Sequence, residues 1–125
     1  MSDIIRRSSI AGSWYPDNPG ILRTSIGDFF QRVPEESIPG NIIGLVAPHA
    51  GYIYSGQVAA YAYKMLQGHI LDAVIVIGPS HRVPFRGISI YDQGGYETPL
   101  GKVPVDGSLA DRIRAESRLV TAIPS

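Results

Sequence analysis

The 125-residue chain contains no cysteine, which excludes disulfides, iron–sulfur clusters and thiolate zinc sites built from its own side chains. It also lacks an excess of either charge. Eleven Lys and Arg balance eleven Asp and Glu, and no basic cluster exceeds Arg6-Arg7, so the electrostatic footprint of a nucleic-acid binder is missing. No apolar run approaches the ~18 residues of a membrane helix. The opening Met1-Ser2-Asp3-Ile4-Ile5-Arg6-Arg7 has no stretch long enough for a secretory signal. These absences lead to three expectations: no nucleic acid, no membrane, and a cytoplasmic location. What remains is an ordinary globular composition, 44% hydrophobic and 18% charged, on a length that suits one domain or a piece of one.

The pattern along the chain reads as α/β. Ala11-Gly12-Ser13-Trp14-Tyr15-Pro16 is an irregular opening segment broken by Gly and Pro. Asp17-Asn18-Pro19 is a helix start, and Leu22, Ile26, Phe29 and Phe30 follow as one apolar stripe on a helix over 19–32. A loop runs from Val33-Pro34 to Pro39-Gly40. Residues 42–47 and 73–77 are short continuous apolar runs, the signature of strands buried on both faces. Between them Ser55 can cap a second helix with Val58, Ala59, Ala62, Met65 and Leu66 on its apolar face, stopped by Gly68. Strand, helix, strand predicts a βαβ core with parallel strands and a right-handed crossover. Gly87 to Tyr91 suggests a third strand. Asp106 or Ser108 caps a helix to about Glu116, and Leu119 to Ile123 begins another strand. The expected fold is a parallel or mixed sheet flanked by helices, ending in mid-pattern. Residues 1–125 thus read as a single domain that is the N-terminal part of a larger one: a fragment or a split gene product.

In open α/β sheets, ligands sit beyond the carboxyl ends of the strands. Pro48-His49 and Pro79-Ser80-His81 both occupy that position. Ends of neighbouring strands lie ~5 Å apart, so the two imidazoles can converge for metal binding or acid–base work. Trp14, Tyr15, Tyr52 and Tyr54 can wall a pocket, with phenolic hydroxyls as orienting donors. Plainer roles compete. A single His at a strand end is more often a hydrogen-bonded loop residue than a ligand. His69 suits a helix end, Tyr61 and Tyr63 suit packing, and Glu97 and Asp106 suit turns or caps. Gly51 to Gly56 lacks the Gly-Lys-Ser/Thr ending of a phosphate loop. Ser80 beside His81 is no catalytic triad, since adjacent residues on an extended loop point apart.

Four stretches also resemble the hallmark motifs of the MEMO family. They are Ala11-Gly12-Ser13-Trp14-Tyr15, Ala47-Pro48-His49-Ala50-Gly51-Tyr52-Ile53-Tyr54-Ser55-Gly56, Gly78-Pro79-Ser80-His81-Arg82-Val83-Pro84 and Tyr96-Glu97-Thr98-Pro99-Leu100-Gly101. The match covers about the first half of a full-length member. The resemblance implies a fold similar to class III extradiol ring-cleaving dioxygenases, with His49 and His81 as two metal ligands. It places the third ligand, a cysteine, and a further histidine in the second half. It also sets Trp14 and Tyr52 in a cleft for which a peptide-binding role has been proposed in eukaryotic relatives; Tyr15, Tyr54 and Ser80 are further candidates for binding a substrate or peptide there. Radical-SAM and AMMECR1-like proteins are the functional partners it suggests.

With two imidazoles and no third ligand, iron or copper should bind weakly unless another chain completes the site. A parallel sheet cut midway leaves an edge for a second half-chain or a homo-oligomer to cover. Three functions stay open. One is a metal-dependent, dioxygenase-like oxidoreductase. Another is a non-catalytic module that holds a peptide or small ligand in the aromatic cleft. The third is a truncated, inactive product.

Overall fold

Helix formation here follows local chemistry. The computed structural model describes residues 4–122. In α1 (Pro19–Gln31) the Asn18 side chain accepts hydrogen bonds from the backbone N–H of Gly20 and Ile21, at 2.9 and 3.0 Å. Pro19 has no N–H to satisfy and arrives with its φ already helical. Leu22, on the expected stripe, is 3% exposed and is the best-buried residue of the helix. The start of α2 (Tyr52–Lys64) departs from expectation. The helix begins three residues before Ser55, with Gly51 as its N-cap and no side-chain cap. The Gly51 carbonyl accepts from the Tyr54 and Ser55 N–H groups, while the Ser55 hydroxyl donates to the Ala50 carbonyl at 3.1 Å. Backbone geometry, not the hydroxyl, opens this helix. It ends as expected, in a turn closed by Gly68 at φ +81°.

The chain divides into two compact units. One comprises residues 8–70 and 98–101 and holds α1 and α2. The helices pack through a thin core: Leu22, Val33 and Ala60 are its buried residues. Polar links join them. The Gln57 amide donates to the Phe29 carbonyl at 3.0 Å, and Lys64 Nζ donates to the Val33 carbonyl at 2.7 Å while pairing with Glu35 at 3.1 Å. Val58, expected on the apolar face of α2, is 61% exposed, and Ala60 is buried instead.

The other unit comprises residues 1–7, 71–97 and 102–125, described from Ile4 to Ala122. Here β1 (Ile5–Arg7), β3 (Gly95–Thr98) and β4 (Gly101–Pro104) form a sheet in the order β1-β3-β4. β1 runs parallel to β3 with Ile5 opposite Gly95. The two-residue link Pro99-Leu100 can only join antiparallel neighbours. Gly94 makes the β1–β3 approach possible. It sits at φ +67°, and a Cβ there would lie 1.8 Å from the Ile4 carbonyl oxygen. A second, two-stranded sheet pairs β2 (Ile88–Ile90) in parallel with β5 (Val120–Ala122), Ile88 opposite Val120. α3 (Gly107–Glu116) precedes β5. Its N-cap is Asp106, which accepts from the Leu109 N–H at 3.0 Å and from the Ser108 hydroxyl at 2.7 Å.

The α/β class is as expected: among the described residues there are three helices with parallel and antiparallel strands. The strands are mostly different ones. β2, β5 and α3 fall where the sequence put them, although Ile123 lies outside the described residues. β1, β3 and β4 are additions, and Glu97, expected in a turn, sits in β3 with its carboxylate 3.4 Å from Arg7 Nε. The runs 42–47 and 73–77 form no ladder among the described residues. Ile43 is 100% exposed, Val46 99%, Val76 87% and Ile77 90%, so the expected βαβ core is present only as its helix. A strand exists through its neighbours' hydrogen bonds, and an apolar run needs both faces covered to become one. Neither run has that cover.

Candidate functional site

The local architecture of residues 10–15 and α2 builds one cavity, inside the helical unit. In the opening segment Gly12 N–H donates to the Tyr15 carbonyl at 2.8 Å and Trp14 N–H to the Ile10 carbonyl at 2.9 Å, folding the stretch into a compact turn. Ser8 Oγ receives the Ala11 N–H at 3.2 Å and hydrogen-bonds the Tyr15 hydroxyl, so the Tyr15 ring is fixed from both ends. The Trp14 carbonyl then accepts the Tyr52 N–H at 2.8 Å. This bond uses one of the unpaired N–H groups at the start of α2 and docks the turn against the helix.

The rings meet in consequence. Tyr15 and Tyr52 lie 5.6 Å apart at 43°, and Phe29 of α1 meets Tyr52 edge-on at 6.2 Å and 66°. Both distances fall in the favourable aromatic range. Gly56 belongs to the same contact. A Cβ at this position would come within 2.7 Å of the Phe29 ring, so the missing side chain lets the ring lie against α2.

Together these groups enclose a cavity of about 610 Å³ whose lining is mainly apolar. Trp14, Tyr15, Phe29, Tyr52, Tyr63 and His49 are on its wall. Burial, followed by the proximity of Tyr15 and Tyr63, holds the Tyr52 hydroxyl above its usual value near 10.0. It therefore stays a neutral donor and acceptor at physiological pH, at the edge of an apolar space.

The sequence candidates are distributed unevenly. Trp14, Tyr15, Tyr52 and His49 share this wall. Tyr54, on the same helix, is 80% exposed and outside the cavity lining. Ser80 and His81 belong to the other unit, on the exposed irregular stretch before β2. There the Ser80 hydroxyl donates to the Val83 carbonyl at 2.7 Å and accepts from the Val83 N–H at 3.4 Å, a local turn. Tyr63 is 51% exposed, against the expectation of packing, yet it lines the cavity; Tyr61 is equally exposed. Sequence reasoning passed over Phe29 and Tyr63 as site residues. The signal was available: 52, 56, 59 and 63 form one helical stripe, visible once α2 is started at Tyr52.

Across the described residues, no group of three or more His, Cys, Asp or Glu side chains is placed to hold a metal ion. Two imidazoles supply two donors, and a catalytic centre usually takes three from protein. The donor set in these residues does not by itself fit iron or copper.

The family model described as Memo-like protein matches residues 6–123. The chain belongs to the Memo-like family. It is 39% identical over 124 residues to a MEMO1 family protein of Methanothermobacter thermautotrophicus, covering 94% of this chain and 45% of that one. It is 42% identical to a MEMO1 family protein of Desulfurococcus amylolyticus, covering 91% and 44%, and 38% identical to one of Pyrococcus furiosus, covering 93% and 40%. The chain therefore spans less than half the length of these curated relatives. Among the described residues no helix is long and apolar enough to cross a membrane.

Proposed function

We propose that this Memo-like chain is a ligand-binding module whose cavity between α1 and α2 takes an aromatic ring, carried by a small molecule or a peptide side chain. The observation behind this reading is the convergence of Trp14, Tyr15, Phe29 and Tyr52 on one apolar space of about 610 Å³. That volume lies within the ~300–1,000 Å³ of ordinary ligand sites. A ring entering it meets aromatic faces on several sides, and the neutral Tyr52 hydroxyl and the His49 imidazole offer polar contacts at the wall. Trp14, the sole tryptophan, is 46% exposed and reports occupancy directly.

The test is a titration with p-cresol, exciting Trp14 selectively, with and without EDTA. Saturable quenching that ignores the chelator and weakens about tenfold in Tyr52→Ala is expected, since an aromatic pair contributes ~0.5–1.5 kcal/mol. Equal binding by wild type and Tyr52→Ala would remove the reading.

A second reading concerns the complete domain: a metal-dependent oxidoreductase, dioxygenase-like, with His49 and His81 among its iron or copper ligands. It is supported by the family match and by the position of His49 on the cavity wall. It requires at least one donor from outside the described residues. Anaerobic titration of ferrous iron into wild type and the His49→Ala/His81→Ala pair tests the ligand assignment, which fails if both bind iron equally.

A further inference from the structure

Among the described residues, no Asp, Glu, Lys or Arg lines the cavity of the helical unit. Charge is not scarce on the elements that build it. α1 carries Arg23 and Asp28, and α2 carries Lys64, yet all three stay off the wall. Lys64 is held elsewhere, with its ammonium on the Val33 carbonyl and Glu35. The polar groups that do reach the wall are hydroxyls, such as those of Tyr52 and Tyr63, the Gln67 amide and the His49 imidazole. The rest is ring and aliphatic surface, with Phe29, Phe30 and Ile26 contributed by α1.

An ionised group entering such a space gives up its water and meets no carboxylate, ammonium or guanidinium to replace it, a loss that weakens binding by orders of magnitude. A neutral hydroxyl or amide exchanges water for hydrogen bonds with the wall and loses far less. A phenol suits these groups, since its hydroxyl donates and accepts as that of Tyr52 does. About 610 Å³ is room for a drug-sized molecule, more than one ring fills. A substituent on the ring therefore enters with it, and the charge of that substituent is tested inside. We infer that the cavity selects phenols with an uncharged substituent and rejects the acids and amines built on the same skeleton. This rests on the aromatic-ring reading above and adds to it the chemical class of the ligand.

The experiment titrates matched pairs into the full 125-residue chain at pH 8 and follows Trp14 on the cavity wall. One pair is 4-hydroxyphenylacetamide against 4-hydroxyphenylacetate, the other N-acetyltyramine against tyramine. Within each pair the phenol is the same, and only one member carries a charge at that pH. Each neutral member should bind about 100-fold more tightly than its ion. It should also displace p-cresol competitively, which puts both at one site without any variant. Ala59→Lys sets an ammonium on the wall between Tyr52 and Tyr63. With helical circular dichroism unchanged, it should cut the preference for amide over acid at least tenfold and widen that for N-acetyltyramine over tyramine. Affinities within threefold in either wild-type pair, with p-cresol still bound, overturn the inference and leave the ring reading standing. Absence of p-cresol binding removes both. A preference that a folded Ala59→Lys leaves unmoved puts the selection outside the cavity and overturns the inference as well.

Discussion

α1 with α2, and the runs 42–47 and 73–77, all carry apolar residues patterned for burial, and the outcomes are opposite. The helices satisfy their backbone internally, and a few anchors then suffice: Leu22, Val33 and Ala60 inside, with Gln57 and Lys64 bonding across. The runs have stronger β-forming composition, rich in Ile and Val, yet make no ladder among the described residues. A helix carries its hydrogen-bond partners four residues away, while a strand must be given them by another segment. Apolar patterning marks where burial is wanted; only the helix can begin the structure alone.

Changes to either side of this contrast should separate sharply. Leu22→Ala empties the best-buried site between the helices and should cost ~2–5 kcal/mol in urea unfolding followed by helical circular dichroism. In the isolated chain, Ile43→Lys should stay within ~0.5 kcal/mol of wild type, because the side chain has nothing to lose. A loss above ~2 kcal/mol there would show that the run is covered after all and would end the contrast. Asn18→Ala removes an N-cap that two N–H groups use and should cost ~1 kcal/mol in the same assay.

The smallest effect concerns α3. Hydrogen bonds from the Leu109 N–H and the Ser108 hydroxyl hold the exposed Asp106 carboxyl below its usual 3.8. A depressed carboxyl stabilises the fold above its unfolded value and loses that contribution as pH falls through the lowered folded value. Wild type should therefore weaken slightly below about pH 4, and Asp106→Asn, which keeps an acceptor at the cap, should flatten that part of the acid profile. A profile unchanged by Asp106→Asn would show that the cap does not respond to charge.

Legibility followed the same line. Asn18-Pro19 and Asp106 announced their helices because the cap and the helix it starts are adjacent in sequence. β2 and β5 were legible as apolar segments. β1 was not, since Ile5-Arg6-Arg7 carries two charges and becomes a strand through Gly95, Tyr96 and Glu97, some ninety residues away. The start of α2 was misplaced because Ser55 offered a cap while Gly51 used only its backbone. For the site, Trp14, Tyr15, Tyr52 and His49 were all chosen from sequence and share a cavity. Phe29 was read only as a core residue, because its approach to α2 depends on the space left by Gly56. Tyr54 has the same chemistry as Tyr52 but lies two positions round the helix, facing solvent.

The exposed runs also matter to the cell that makes this protein. Chaperones and proteases judge a chain by extended, uncharged apolar segments with accessible backbone, and residues 42–47 and 73–77 present two of them on a molecule whose helices are already formed. To quality control, such a chain is indistinguishable from one caught in mid-folding. Its abundance should then fall with the time those segments stay open, so that lifetime becomes a reading of their exposure.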